Sequence, residues 1–289
     1  MASLTELARF HTKLDGPSVA HLQRLVAGWG LLADFCFADL LLFAPTTDSQ
    51  DGDRFVVLGQ VRPSTSQTVY RADWIGTTVD EEEHPLVTRS YRLAEIIEGE
   101  TTIAALKERV RVLCIPVRCR GEVIGVMTRE SAPSFGRQPG ELERTYVAIF
   151  NRFARMIAAG DFPFDAEDLE SEEAPRVGDG VILLDAAQRV EYTSPNGVSA
   201  LHRIGVHANS EGLRFDELGL DDSAVRTAFS IGAPVTEEVE GTAEVTVLIR
   251  CIPLIEHGTV SGAVLLTRDI SELRRRDRLL VSKDATIRE

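Results

Sequence analysis

The chain has 289 residues, 45 of them acidic against 31 basic, for a formal net charge of -14. Hydrophobic residues make up 44% and charged residues 26%, which excludes a largely disordered chain; the length predicts about two domains, each with its own core. The acidity and the lack of a long Lys/Arg run exclude a duplex-binding groove and disfavour both nucleic acid and an anionic membrane surface as partners.

No stretch approaches the ~18 consecutive apolar residues of a spanning helix; the longest candidate runs only from Leu25 to Ala33. The opening Met-Ala-Ser-Leu-Thr-Glu lacks the basic and apolar regions of a secretory signal, so the expected location is cytoplasmic.

In chain order, Ser3 and Glu6 have capping-box spacing, which predicts a first helix with Leu4, Leu7, Phe10, His11 and Leu14 on its apolar stripe. Asp15-Gly16-Pro17 breaks it. A second helix is predicted from Ser18, with Val19, Leu22, Leu25, Val26, Trp29 and Leu32 on one face. Strands are predicted from Asp39 to Phe43 and from Arg54 to Val61. Asp80-Glu81-Glu82-Glu83 reads as a solvated loop, because it lacks the alternating ligands and turn glycine of a calcium loop. Leu93 to Glu98 reads as a short helix ending at Gly99. Val110 to Val117 and Glu122 to Thr128 predict a hairpin turning at Arg120-Gly121. A long helix is predicted from Gly140 to Ala159, about 30 Å at ~1.5 Å per residue.

Residues 161–176 are rich in Asp and Glu and carry Pro163 and Pro175, which predicts an extended interdomain linker. Beyond it, strands are expected over Gly180 to Asp185 and Arg189 to Thr193, and a helix opened by Ser194-Pro195-Asn196. Helical pieces follow at Phe215 to Leu218 and Asp222 to Ser230. Further strands are expected over Glu237 to Glu240, Ala243 to Pro253 and Val260 to Thr267, and a charged helix from Ser271 to about Glu289. The fold class expected is α+β, two tandem domains of antiparallel sheet with flanking helices. The boundaries are 1–160, a linker at 161–176, 177–270, and a helix start at 271–289.

Enzymatic constellations are absent: there is no Gly-x-Ser-x-Gly, His-Glu-x-x-His or phosphate-binding Gly-x-x-x-x-Gly-Lys-Ser/Thr. Catalytic and metal-ligating residues are therefore expected to be none in this chain. His202 and His207 stand near each other in sequence but off helical i, i+4 spacing, and read as ordinary surface histidines rather than a metal pair. Cys36, Cys114, Cys119 and Cys251 are scattered without a Cys-x-x-Cys, as reduced, buried structural thiols would be. The apolar alternation of both halves suits sheets packed on helices, with interiors either filled or open to an unidentified small molecule.

The last helix carries Leu273, Leu280 and Ile287 at seven-residue spacing, beside a neighbouring line of Ile270, Asp277 and Asp284. It reads either as a surface helix of its own domain or as an output helix pairing with a second protomer. The absence of a Gly or Pro stop predicts that it continues past Glu289.

Asp179-Gly180-Val181-Ile182-Leu183-Leu184-Asp185 with Val190-Glu191-Tyr192-Thr193-Ser194-Pro195-Asn196 resembles the opening of a PAS domain. Gly262 to Leu273 resembles its exit, where an Asp-Ile-Thr type motif starts the signalling helix; here the motif is Asp269-Ile270-Ser271. Cys114-Ile115-Pro116-Val117 with Gly121-Glu122-Val123-Ile124-Gly125-Val126 resembles a GAF domain, without the signature of cyclic-nucleotide binding or an obvious bilin site. The order GAF-like, acidic linker, PAS-like, helix is similar to the cytosolic two-component sensor histidine kinases of actinobacteria of the PdtaS type. Lys283 to Glu289 resembles the approach to that family's phosphoacceptor box.

The resemblance implies that this chain is the signal-sensing region and is not itself an enzyme. It implies ATP and Mg only in a kinase half outside it, and a response-regulator partner of the RNA-binding antiterminator type. It also makes Asp269, Leu273, Leu280 and Ile287 the candidate output residues, with a homodimer through the last helix. The alternative is a ligand-binding or scaffold module governing a different output, such as a cyclic-dinucleotide enzyme or a phosphatase.

Overall fold

A computed structural model describes residues 3–47, 53–63, 68–103, 108–132, 139–165, 174–241 and 245–276. The chain divides into two compact units, Met1–Asp165 and Ala166–Glu289.

The first unit opens with α1 (Leu4–His11), α2 (Gly16–Ala27) and α3 (Trp29–Cys36). The Ser3–Glu6 capping box is formed in both directions. The buried stripe of α1 is narrower than expected, however: Leu7 and Ala8 are buried, while Phe10 is 78% exposed. The second helix starts two residues before Ser18, because Asp15 accepts the Ser18 N–H at 2.9 Å and Pro17 fits the first turn, where its missing donor costs nothing. It divides at Gly28, whose backbone (φ -82°, ψ 0°) leaves the helical region.

Six antiparallel strands follow: β1 (Asp39–Pro45), β2 (Arg54–Val61), β3 (Thr78–Asp80), β4 (Ile97–Ile103), β5 (Glu108–Cys119) and β6 (Glu122–Ser131). Their order across the sheet is β3-β2-β1-β6-β5-β4. The β5–β6 hairpin turns at Arg120 and Gly121, both with positive φ (50° and 87°), as a two-residue turn matched to strand twist requires. The expected helix at Leu93 to Glu98 is a correction. The helix there is α4 (Pro85–Leu93); Ala94 turns left-handed, and Ile97 already pairs with Cys114 as the start of β4. A short Ile-rich run beside a helix carries no period long enough to separate the two.

One face of the sheet, with Leu41, Phe43, Phe55, Val57, Val79, Val112, Cys114 and Val126, packs under Tyr70 and Val87. α5 (Glu141–Ala159) packs across β5 and against α3 and ends at Gly160 in a left-handed cap. Phe162 and Phe164, in the segment expected as linker, are buried; Phe162 stacks edge-on against Phe153 at 5.2 Å. The first five residues of that segment therefore belong to the first unit, and residues 166–173 lie outside the described residues.

The second unit has β7 (Val181–Asp185), β8 (Val190–Thr193), β9 (Val235–Glu240), β10 (Thr246–Glu256) and β11 (Thr259–Asp269), antiparallel in the order β8-β7-β11-β10-β9. Between β8 and β9 run α6 (Pro195–Arg203), a 3-10 turn at Phe215–Leu218 and α7 (Ser223–Ile231). Ser194 caps α6 through the Gly197 N–H, and Pro195 occupies its first position. Leu201, Phe215, Val225 and Ala228 pack on Ile182, Leu184, Val247, Ile249 and Leu265 to make a single core.

Candidate functional site

The first candidate is the junction where the sheet of the second unit hands over to the exit helix, described over 271–276. Ile270 is buried, and its N–H donates to the Thr246 carbonyl at 2.9 Å. The Ser271 hydroxyl accepts the Thr246 N–H at 3.0 Å and donates to Asp269 Oδ1 at 2.5 Å. Asp269 also accepts the Ser271 N–H at 2.9 Å and pairs with Arg203 from the last turn of α6. Burial pushes the Asp269 carboxyl upward, but the Ser271 bonds and the Arg203 guanidinium outweigh it and hold the group below its usual value. Asp269 thus stays ionised and ties α6, β10 and the first helical turn together.

Further along, Arg274 pairs with Glu238 on β9. The neighbouring Glu237 accepts the Ser223 hydroxyl at 2.8 Å and the Ala224 N–H at 3.0 Å, so it serves the N-terminus of α7. Of the output residues read from the sequence, Asp269 sits at the centre of this junction and Leu273 is half-buried beside it. Leu280 and Ile287 lie outside the described residues. Arg203, Thr246 and Glu238 were not foreseen, since only the sheet register brings them there.

The second feature is a small cavity of about 120 Å³ lined by Val198, Leu201, His202, Val206, His207 and Ser210, among others. His202 and His207 come together, with ring centroids 5.6 Å apart. Among the described residues no group of three or more His, Cys, Asp or Glu side chains is placed to hold a metal.

The third is a polar cluster inside the first unit. Asp39 on β1 and Glu130 on β6 are cross-strand partners, 0% and 1% exposed. Asp39 accepts the Thr68 hydroxyl and the Val69 N–H, each at 2.6 Å. Glu130 accepts the Thr128 hydroxyl at 2.7 Å and the hydroxyl of fully buried Tyr70. Burial raises both carboxyls above their usual range, against the pull of these bonds. Phe43, Trp74 and His84 stand around the same interior, His84 at 5.4 Å from Phe43 between ring centroids. The predicted strand stopped at Thr128, two residues short of Glu130. The available signal was parity: Asp39 shares a face with Leu41 and Phe43, and Glu130 shares one with Val126 and Thr128.

All four cysteines are free and buried, as expected for structural thiols. Burial pushes Cys36 and Cys251 up to about 12, and burial with the nearby Glu130 carboxyl pushes Cys114 higher still. The thiolate is the reactive species. Iodoacetamide at pH 7.5 is therefore expected to leave Cys36, Cys114 and Cys251 unmodified in the folded chain, while the unfolded chain takes up label at all four. An adduct on any of those three before unfolding, located by peptide mass spectrometry, would refute their inertness.

A family model described as the GAF domain of histidine kinase PdtaS matches residues 4–149. The sensor histidine kinase PdtaS of Mycolicibacterium smegmatis is 35% identical over 304 aligned residues, covering all of this chain and 60% of that protein. PdtaS of Mycobacterium tuberculosis is 35% identical over 307 residues with the same coverage. A solved structure titled the sensor region of a sensor histidine kinase superposes with a TM-score of 0.80 at 33% identity, over 94% of this chain and all of that one. The chain thus spans about 60% of the length of the curated relatives it matches.

Proposed function

The chain belongs to the family of PdtaS sensor histidine kinases, and on that premise we propose that it is the signal-receiving region that sets the activity of a kinase portion carried by the full-length protein. The second unit is read as PAS-like. Its sheet order β8-β7-β11-β10-β9, with α6, the 3-10 turn and α7 between β8 and β9, supports this, as does the Asp269-Ile270-Ser271 exit. The observation that carries the mechanism is the junction. Asp269 and Ser271 fasten the first turn of the exit helix to β10 and α6, so a rearrangement of the core moves the helix with it.

In the full-length protein, ATP and Mg would bind the kinase portion, a histidine there would be phosphorylated, and the phosphoryl group would pass to a response regulator of the RNA-binding antiterminator type. Two protomers would meet along the continued exit helix, with Leu273, Leu280 and Ile287 on the seam.

The direct test is incubation with labelled ATP and Mg. The 289-residue chain alone is expected to give no phosphoprotein, and the full-length protein an acid-labile, base-stable phosphohistidine. Label on the isolated chain would overturn the division of labour, and an unlabelled full-length protein would overturn the kinase reading.

A further inference from the structure

Two carboxyl groups buried face to face on neighbouring strands are an expensive arrangement. Like charges directly opposite one another destabilise a strand pair, and an ionised carboxylate in an apolar interior needs a partner or a proton. Asp39 and Glu130 have no cation from their own strands on that face. Arg62, just past β2, lowers the Asp39 carboxyl by its charge, less than burial raises it; its guanidinium is exposed, pairs with Asp73 at 2.9 Å and donates to the Tyr70 carbonyl at 3.3 Å. The other titratable groups on this interior are the Tyr70 phenol, the half-buried Tyr91 of α4 against Phe55, His84 at the head of α4 and the Cys114 thiol from β5. Burial holds His84 below its usual value, hence neutral, and the phenol and the thiol far above theirs. Among the described residues the pair therefore has no buried counter-ion, and a proton is the cheapest compensation.

The same carboxyls do a second job. The segment 68–74, which covers the apolar face of the sheet with Tyr70 and Trp74, is tied down at its start by Thr68 and Val69 on Asp39 and by Tyr70 on Glu130. At its far end the Trp74 N–H donates to Gln60 Oε1 at 2.8 Å. Thr128 both donates and accepts, so Glu130 keeps that partner whether or not it carries a proton.

We propose that segment 68–74 is a proton-operated latch: Asp39 and Glu130 hold it on the sheet while they carry a proton between them, and release it when both are ionised. The sign comes from linkage. The closed state binds one proton more than the open state, in which both carboxyls are hydrated and titrate in their ordinary range. Raising the pH above that range therefore favours opening, by about tenfold per pH unit, until the closed pair itself loses its proton. The titration belongs to the pair and not to either residue.

The test is hydrogen exchange of the whole chain from pH 5 to 7.5, corrected for intrinsic exchange and read by mass spectrometry on peptides covering 68–76 and, as control, β5. The latch peptide is expected to lose protection by about tenfold per pH unit over at least part of that range while β5 does not. Glu130→Gln and Asp39→Asn are each expected to flatten the dependence. Corrected exchange that is constant with pH in the unmodified chain overturns the proposal, as does a slope that survives in whichever of the two variants folds.

Discussion

In the full-length protein, one residue inserted after Leu273 is expected to change the basal autophosphorylation rate by at least tenfold, whereas an insertion of seven residues is expected to restore it. An added residue turns everything beyond it by ~100° and advances it ~1.5 Å, while seven residues return the seam nearly to its starting face. The fastening of the helix lies before the insertion: Asp269, Ser271 and Thr246 are untouched. The single insertion therefore spares that fastening; both insertions displace Arg274 from Glu238, so the two variants differ in the phase of the helix beyond Leu273. A tenfold change corresponds to about 1.4 kcal/mol, a modest demand on a helix presenting a reacting group. Rates of labelling from ATP, measured on variants with one and seven added residues, decide the matter. A one-residue variant that keeps the original rate would show that rotation of this helix does not carry the signal.

Gly180→Ala is expected to destabilise the second unit by about 3–5 kcal/mol, combining overpacking with backbone strain. Gly180 has φ +156°, and a Cβ there would stand 2.3 Å from Thr267 Oγ1 and 2.9 Å from the Gly197 backbone nitrogen. Thr267 is 1% exposed on β11 and donates its own N–H to the Gly180 carbonyl at 3.0 Å, so neither side has room to yield. Gly178→Ala, two residues away, meets nothing within 4 Å and serves as the neutral comparison. The chain has two tryptophans, Trp29 and Trp74, both in the first unit. Urea unfolding followed by far-UV circular dichroism is expected to show an early transition in Gly180→Ala, with tryptophan emission lagging behind it. Superimposable curves for the two alanine variants would sink the prediction.

The local elements were readable because their causes are local. Pro63 and the β-rich run Phe55–Leu58 delimit β2, which spans the predicted Arg54–Val61. Gly121, able to take the positive φ of the turn, marks the β5–β6 hairpin, and Ser194 before Pro195 marks the start of α6. The features that escaped were set by register. A carboxylate beyond the end of a predicted strand, such as Glu130, reads as surface until β6 is laid against β1 and the residue is found opposite Asp39. Tyr70 sat in a stretch without period, because it is ordered by Asp39 and Glu130 rather than by its neighbours in sequence. At the exit the motif itself was legible, but Arg203, which ionically anchors it, comes from a helix more than sixty positions earlier.

Among the described residues β9 is an edge strand, paired with β10 alone. Its consecutive residues Glu237 and Glu238 point to opposite faces, one gripping the N-terminus of α7 and the other Arg274 of the exit helix. Such a strand behaves as a lever pivoting on a single ladder of hydrogen bonds. A tilt that follows α7 on one side must swing Arg274 on the other, with no second strand among the described residues to resist it. The stiffness of one β-ladder, rather than that of the whole sheet, would then set how much of any displacement in α7 is transmitted to the helix that leaves the domain.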